Sequence, residues 1–424
     1  MVKLNKILVL ILLSTFVANG QSILSLDSCI NQAYRNFEFN KQIEFTNQII
    51  EANIAGIKKN YLPTLDLNAA ATYQNEQISI PVDIPLPGFE SPVAPLNINN
   101  ALLSLRQWVY DGSMTKNQRL IQEVSGDVAL QDINVQKLQV KNNVMQLYFS
   151  VLLQEKQIEI LEEKLAVLEE RYKEVKSAVQ SNVLLESDEK LLKAEILQLH
   201  QRITEVEFGR KASVSGLSQL LGIEILEASE FEEPNVEVTT VSDFNMRPDV
   251  QLMNSQMDLL EAQKGLIQSN YLPKIGVFAD GGFGLPGYDI FNDEIAPMAK
   301  VGITMQWHIF DWNKGSIQKQ NLSLSQNLLQ LQQDRIKKRM GVKSETEKQQ
   351  IQKAKEMMLK DDELLELYTS VSRAYASQLE NGTITSAEYV RQLNKEQEAK
   401  TNLELHKLQL TIAILNYNTL MQGQ

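Results

Sequence analysis

A chain of 424 residues with a formal charge of −12 is long enough for two or more domains and too acidic to favour nucleic acid or anionic lipid as a partner. One cysteine excludes an intrachain disulfide, and the three histidines, His200, His308 and His406, lie too far apart for metal-ligand spacing. No glycine-rich phosphate loop or nucleophile elbow is present, so neither an enzyme nor a cofactor is expected.

The chain opens with Lys3 and Lys6, an apolar run from Ile7 to Leu13, and the small-residue end Ala18-Asn19-Gly20. That is the layout of a secretory signal over residues 1–20. The run is shorter than the roughly 20 residues of a membrane-spanning helix, although an uncleaved N-terminal anchor is the competing reading. Loss of the two lysines would leave a charge of about −14. Cys29 follows Leu26-Asp27-Ser28. This only loosely fits a lipid-attachment site, and the alternative is a half-buried residue in a helix's first turn, with Asp27 or Ser28 as cap.

Asn60-Tyr61-Leu62-Pro63 ends the first helical stretch. Proline stops a helix, biases its neighbour to an extended shape and is tolerated at a strand's first residue. A strand is expected over about 63–77, with Leu65, Leu67, Ala69, Ala71 and Tyr73 on one face and Thr64, Asp66, Asn68, Ala70, Thr72 and Gln74 on the other. The proline-rich stretch Ile80 to Pro95 reads as a loop. A return strand follows over about 98–110, with Ala101, Leu103, Leu105 and Val109 on its apolar face. Asp111 then caps a long helix. From Leu147 the apolar positions Val151, Ile158, Leu161, Leu165, Leu168, Tyr172, Val175 and Val179 advance by threes and fours, with only Gln154 breaking the series, the seam of a coiled coil. About 60 helical residues would extend about 90 Å. A turn is expected over about 177–188, with Asn182 in the left-handed conformation.

The same order then recurs. Asn270-Tyr271-Leu272-Pro273 repeats the first proline motif at an offset of 210, and Phe310-Asp311 repeats Tyr110-Asp111 at 200. The length difference falls between those motifs, where a loop tolerates it. Strands are expected over about 273–284 and 298–310. Ile275, Val277, Ala279, Gly281 and Phe283 share one face of the first; Val301, Ile303, Met305, Trp307 and Ile309 share one face of the second. His308 falls on the opposite face, and Gly281-Gly282-Phe283-Gly284 reads as a flexible strand end. The second long helix, about Asn313 to Leu379, has a weaker seam at Leu365, Tyr368, Tyr375 and Leu379, and Lys337-Lys338-Arg339 reads as a solvated face. Its turn is expected over about 380–388, at Gly382. The chain thus divides into copies at 21–235 and 236–424.

Period-two strands with one apolar side suit either a lipid-facing barrel or a sheet with one wet face. Four strands cannot close a membrane barrel, so strands in lipid would require several chains. Trp108, Tyr110, Trp307, Phe310 and Trp312 at the strand–helix junctions suit an aromatic girdle at a membrane interface, with core packing as the alternative.

The paired Tyr-Leu-Pro motifs, the paired Tyr/Phe-Asp motifs and the duplicated long hairpins resemble the TolC-like outer membrane efflux protein family over essentially the whole mature chain. The opening Leu26-Asp27-Ser28-Cys29-Ile30 with Ala33 is similar to the start of that family's first helix. The resemblance implies a mainly α fold with β. Each chain would give four strands to a trimeric 12-stranded β-barrel, and its helical hairpins to an α-helical periplasmic tunnel. Pro63 and Pro273 would mark the helix-to-strand junctions. It also implies a homotrimer in the outer membrane that carries substrates passively from a periplasmic adaptor and an inner-membrane pump. The hairpin turns would form the closed end. Glu388 stands at the position of one acid of an entrance ring and matches Asp188 in the first copy, while Arg391 replaces the companion acid. A helix N-terminal acid favoured by the dipole is the competing reading of Glu388. A periplasmic coiled-coil scaffold or adaptor without a barrel is the competing reading of the whole chain.

Overall fold

The computed structural model describes residues 23–79, 93–226, 229–239 and 243–422. The signal segment and residues 80–92 of the proline-rich loop lie outside them. In chain order the elements are β1 (Ile23–Leu24), α1 (Leu26–Asn36), α2 (Phe39–Lys58), β2 (Thr64–Tyr73), β3 (Asn97–Tyr110), α3 (Met114–Gln180), α4 (Glu186–Leu221), β4 (Glu230–Phe231), α5 (Pro248–Ser269), β5 (Lys274–Leu285), β6 (Ala296–Gln306), α6 (Lys314–Glu380) and α7 (Ser386–Gln422). α3 and α6 each run for 67 residues and start 200 apart. No described helix is long and apolar enough to cross a membrane.

The chain forms two compact units, and each draws segments from both sequence copies. One holds residues 42–132 and 251–335. Its strands form a single antiparallel sheet in the order β2-β3-β5-β6. β2 pairs with β3 from Thr64↔Arg106 to Tyr73↔Asn97, and β5 pairs with β6 from Lys274↔Gln306 to Gly284↔Ala296. β3 and β5 join the two copies. The helices pack in the corresponding order. Ile50 of α2 lies where any Cβ at Gly126 of α3 would be, 2.3 Å away. Asn117 of α3 donates to the Ser269 hydroxyl of α5 at 2.6 Å, and Gln326 of α6 donates to the Met257 carbonyl of α5 at 3.0 Å.

Two strands stop earlier than their alternation suggests. β2 ends at Tyr73 rather than near 77, because the partner chain before Asn97 passes through Pro95 and Leu96, and a proline offers no N–H to a ladder. β6 ends at Gln306 rather than near 310, because its partner β5 begins just after Pro273. The glycines Gly281, Gly282 and Gly284 belong to the body of β5, not to a loose end. Gly282 is required there: an added Cβ would lie 2.0 Å from the Ala101 carbonyl of β3.

The other unit holds residues 23–41, 133–250 and 336–422. β1 and β4 form a two-residue parallel ribbon that the alternation did not reveal, since two residues carry no period. The buried Tyr148 of α3 places its hydroxyl 2.7 Å from the Leu24 carbonyl and 2.6 Å from the Glu232 carbonyl, clamping both strands at one end of the ribbon. Burial pushes the Tyr148 phenol well up from its ordinary value. Along α3 the expected seam position Val151 is buried, and Tyr148, Leu152 and Ile160 are buried beside it, whereas Leu147 and Ile158, also expected on the seam, are half-buried. Farther along, Leu168 and Val175 pack with Leu192, Leu199 and Ile203 of α4, as the three-and-four spacing requires.

Ser25, rather than Asp27 or Ser28, caps α1, accepting from the Ser28 N–H at 3.3 Å. Cys29 is fully buried, and burial pushes its thiol up to about 11. Asn36 of α1 in turn donates to the Leu220 carbonyl at 3.0 Å, satisfying the end of α4.

Candidate functional site

The sheet has two chemically distinct faces. One carries Leu65, Leu67, Ala69, Ala71 and Tyr73 on β2, Ala101, Leu103 and Leu105 on β3, Ile275, Val277, Ala279 and Phe283 on β5, and Val301, Ile303 and Met305 on β6. Among the described residues this face is open: Leu67 is 73% exposed, Val301 81% and Ile303 77%. Apolar surface of this extent on a soluble chain marks an interaction with lipid or protein. The other face holds Thr64, Asp66, Asn68, Ser104, Arg106, Asp280, Lys300, Thr304 and Gln306. Among the described residues, β2 and β6 each leave one edge without a strand partner.

The junctions between helix and strand repeat their geometry with different residues. Lys59–Tyr61 forms a 3-10 turn before Pro63, and the Gln107 amide donates to the Tyr61 carbonyl at 3.1 Å. At the matching place before Pro273, the Trp307 indole N–H donates to the Tyr271 carbonyl at 3.0 Å. Asp111 and Asp311 act as caps. The Asp111 carboxylate accepts from the Thr115 N–H at 2.7 Å, and the Asp311 carboxylate accepts from the Lys314 and Gly315 N–H groups at 3.1 and 3.2 Å. Between each aspartate and its helix lie two left-handed residues, Gly112 and Ser113 in one copy and Trp312 and Asn313 in the other. A tryptophan held at φ 57° stores backbone strain; Trp312 is 86% exposed and meets only the edge of Phe310, with ring centroids 5.0 Å apart.

A hydrogen bond from the Tyr271 hydroxyl, followed by those from the Gly315 and Lys314 N–H groups, holds the Asp311 carboxyl below its ordinary value. A carboxylate with a depressed folded value stabilises at neutral pH, and that contribution disappears as pH falls below about 3.8 and through the folded value. Asp311→Asn should therefore flatten the acid limb of a thermal-unfolding pH profile. An unchanged limb would show that this cap does not titrate with unfolding.

The aromatic residues divide between the faces. By the alternation of β3, Trp108 shares the polar face with Ser104 and Arg106 and stands opposite Gly276, where its ring meets the space a Cβ would fill. Tyr110 then faces Ile275 on the apolar side. Trp108 thus lies off the apolar face that the expected girdle needs, whereas the one extra residue of a bulge between Trp108 and Tyr110 brings Tyr110 to that face. Trp307 and Phe310 lie beyond the end of β6 and are exposed. His308, also beyond the strand, tilts against the Tyr271 ring at 5.9 Å.

The two hairpin turns share one backbone design. In the first, the N–H groups of Val183 and Asn182 donate to the Ala178 and Val179 carbonyls at 2.9 and 3.0 Å. In the second, Thr383 and Gly382 donate to Gln378 and Leu379 at 2.9 and 3.0 Å. Asn182 and Gly382, at φ 55° and 68°, take the left-handed position of this Schellman ending. The helices after the turns start differently. α4 follows Leu185 with no side-chain cap, leaving Val183 and Leu185 exposed. α7 begins with a capping box: Thr385 donates N–H and hydroxyl to the Glu388 carboxylate at 2.9 and 3.0 Å, and its hydroxyl accepts from the Glu388 N–H at 3.3 Å. The Thr385 backbone bond, then its hydroxyl, holds the Glu388 carboxyl below its usual range, and Arg391 adds to this. Asp188 is half-buried in the first turn of α4, and Arg391 is exposed on α7.

Next to the turns the two hairpins share a core: Leu168, Val175, Leu192, Leu199 and Ile203 meet Leu379, Tyr389, Val390 and Leu393. Arg171, unremarked in the sequence, ties them together. Its guanidinium donates to Glu380 at 2.8 Å and lies 5.6 Å from the Tyr389 ring centroid. The only sequence signal was a lone cation beside the seam residue Tyr172. Among the described residues no cluster of side chains is fit to hold a metal ion.

The sequence matches no protein-family model, and no curated protein matches it. Solved structures do match. The CmeC outer membrane channel of Campylobacter jejuni aligns at TM-score 0.70 and 13% identity, over 94% of this chain and 85% of that one. The outer membrane protein VceC of Vibrio cholerae aligns at 0.70 and 12%, over 94% and 96%. The open state of the MtrE outer membrane channel of Neisseria gonorrhoeae aligns at 0.70 and 14%, over 94% and 88%. The chain has the TolC-like channel fold, mainly helical with a four-stranded sheet.

Proposed function

We propose that this chain is one subunit of a homotrimeric outer-membrane duct, in which three sheets close a 12-stranded barrel and the helices continue it into the periplasm as a tunnel. One observation carries the reading: among the described residues, a sheet with an uncovered apolar face and two unpaired edges. In hydrocarbon every backbone polar group needs a partner, and closed barrels begin at eight strands. A four-stranded sheet meets both demands only by pairing β6 of one copy with β2 of the next.

The helices attached to those edge strands point the same way. α2 precedes β2, and α6 follows β6. On α6, Ile317, Leu324, Leu328 and Leu331 are exposed at steps of seven, four and three, and on α2 Phe45 and Ile49 are exposed four apart. These are coiled-coil seams without a partner in the subunit, on the helices that adjoin the next copy if β6 meets β2. The sequence duplication, 21–235 and 236–424, then supplies two quasi-equivalent hairpins per subunit.

The duct is passive, fed at its helical end by a periplasmic adaptor and an inner-membrane pump in an efflux or secretion system. Val183 and Leu185, exposed at the first turn, give such a partner an apolar contact. The turns form the closed end, with Asp188, Glu388 and Arg391 as entrance charges. Glu388→Lys should shift ion selectivity in planar bilayers away from cations; unchanged selectivity would leave Glu388 as the capping residue that Thr385 makes it.

The whole reading is tested by fractionation and reconstitution. A protein extracted from the outer membrane that gives discrete conductance steps supports the duct. A protein found free in the periplasm, giving no steps, supports the coiled-coil scaffold instead.

A further inference from the structure

Every charged side chain within the four strands lies on one face, and the face that carries Leu67 and Val301 has none. Lys274 opens β5 and is drawn to Met114, with Nζ 3.6 Å from its sulfur. The other four occupy two adjacent cross-strand rows. One row runs Asp66–Ser104–Asp280–Lys300, and the next runs Thr64–Arg106–Phe278–Gly302. Farther from the helices the same face carries Asn68, Thr72, Asn100, Gly282 and Met298, all uncharged. The charges therefore form a band confined to the helix-proximal end of the sheet.

The band is built rather than scattered. Opposite charges directly across a strand pair ordinarily draw together. Here the Lys300 ammonium instead sits 5.4 Å from the Phe278 ring centroid, and the Asp280 Oδ1 is buried without a hydrogen-bond partner. Gly302 makes room for that ring, since a Cβ there would lie 2.7 Å from Phe278 Cζ. Arg106, Trp108, Phe278, Asp280, Lys300 and Thr304 surround a recess of about 560 Å³ on this face. Charges fixed beside a low-dielectric wall are weakly screened and impose a local potential on what passes.

We propose that this band, and not only the helical turns, is a specificity-determining filter of the duct, acting on the charged groups of small solutes that cross the barrel. This rests on the duct reading. Asp280 and Lys300 set opposite signs of local potential, so removing either should bias passage the opposite way.

The test reads that potential directly and does not depend on whether the turns are open. Met298→Cys puts a thiol on the polar face two residues from Lys300; the native Cys29 is buried. Cationic and anionic methanethiosulfonates of equal size are applied to outer membranes carrying the protein. Lys300→Gln should raise the cationic-to-anionic rate ratio by about threefold or more, and Asp280→Asn should lower it by a similar factor. A reactive thiol whose ratio is the same in the parent and in both variants would overturn the filter and leave the duct standing. If Met298→Cys reacts with neither reagent while Val301→Cys reacts with both, the water lies on the wrong face, and the duct reading fails as well.

Discussion

Arginine at Leu67 or Val301 should strip the assembled protein from the outer membrane. Both side chains stand on the uncharged face and are mostly exposed. A lysine or arginine facing lipid costs about 2–4 kcal/mol at the bilayer midplane, falling to about 0–1 kcal/mol near the interfaces. The cost is incurred once per copy, so a trimer carries it three times. Leu67 pairs with Leu103 in the body of the sheet, away from the helix junction, and should show the larger loss. Thr72→Arg, on the opposite face of the same strand, should leave the yield of membrane-inserted protein near that of the parent. Comparing the three variants by outer-membrane extraction separates facing from general damage. Equal loss in all three would mean that the sheet is not lipid-exposed on one side.

The pair Leu324→Glu with Leu328→Glu should release monomers. Within the subunit these side chains lie in water, so the charges cost the folded monomer little. In an assembled tunnel each leucine would be covered, a gain of about 1.5–3 kcal/mol per side chain, and a carboxylate buried in its place would be unpaired. Circular dichroism should show unchanged helix content while the particle in detergent shrinks. An intact trimer would place the seam of α6 against something other than a sister copy.

Much of this architecture was legible because it follows from period and repetition. The proline motifs at Pro63 and Pro273 do stand where helix yields to strand, and Asn182 and Gly382 do take the left-handed turn positions. Asp111 and Asp311 cap the long helices as their place before a helical run suggests. Features that one tertiary contact decides were not legible. Nothing in the alternation of β3 announces the bulge that turns Tyr110 to the apolar face. Tyr148 looked like one more residue near a seam until the ribbon it clamps was present. Besides its local pair with Glu174, Arg171 reaches Glu380 and Tyr389 of the other hairpin, and those contacts leave no local signature. The charged band has no sequence signature for the same reason: Asp66, Arg106, Asp280 and Lys300 are far apart in the chain, and only the register aligns them.

The most direct test is the mass of the detergent-extracted particle, counted in subunits by native mass spectrometry. Three copies per particle is the required result. A single copy, with its sheet edges left unpaired, would contradict the shared barrel outright.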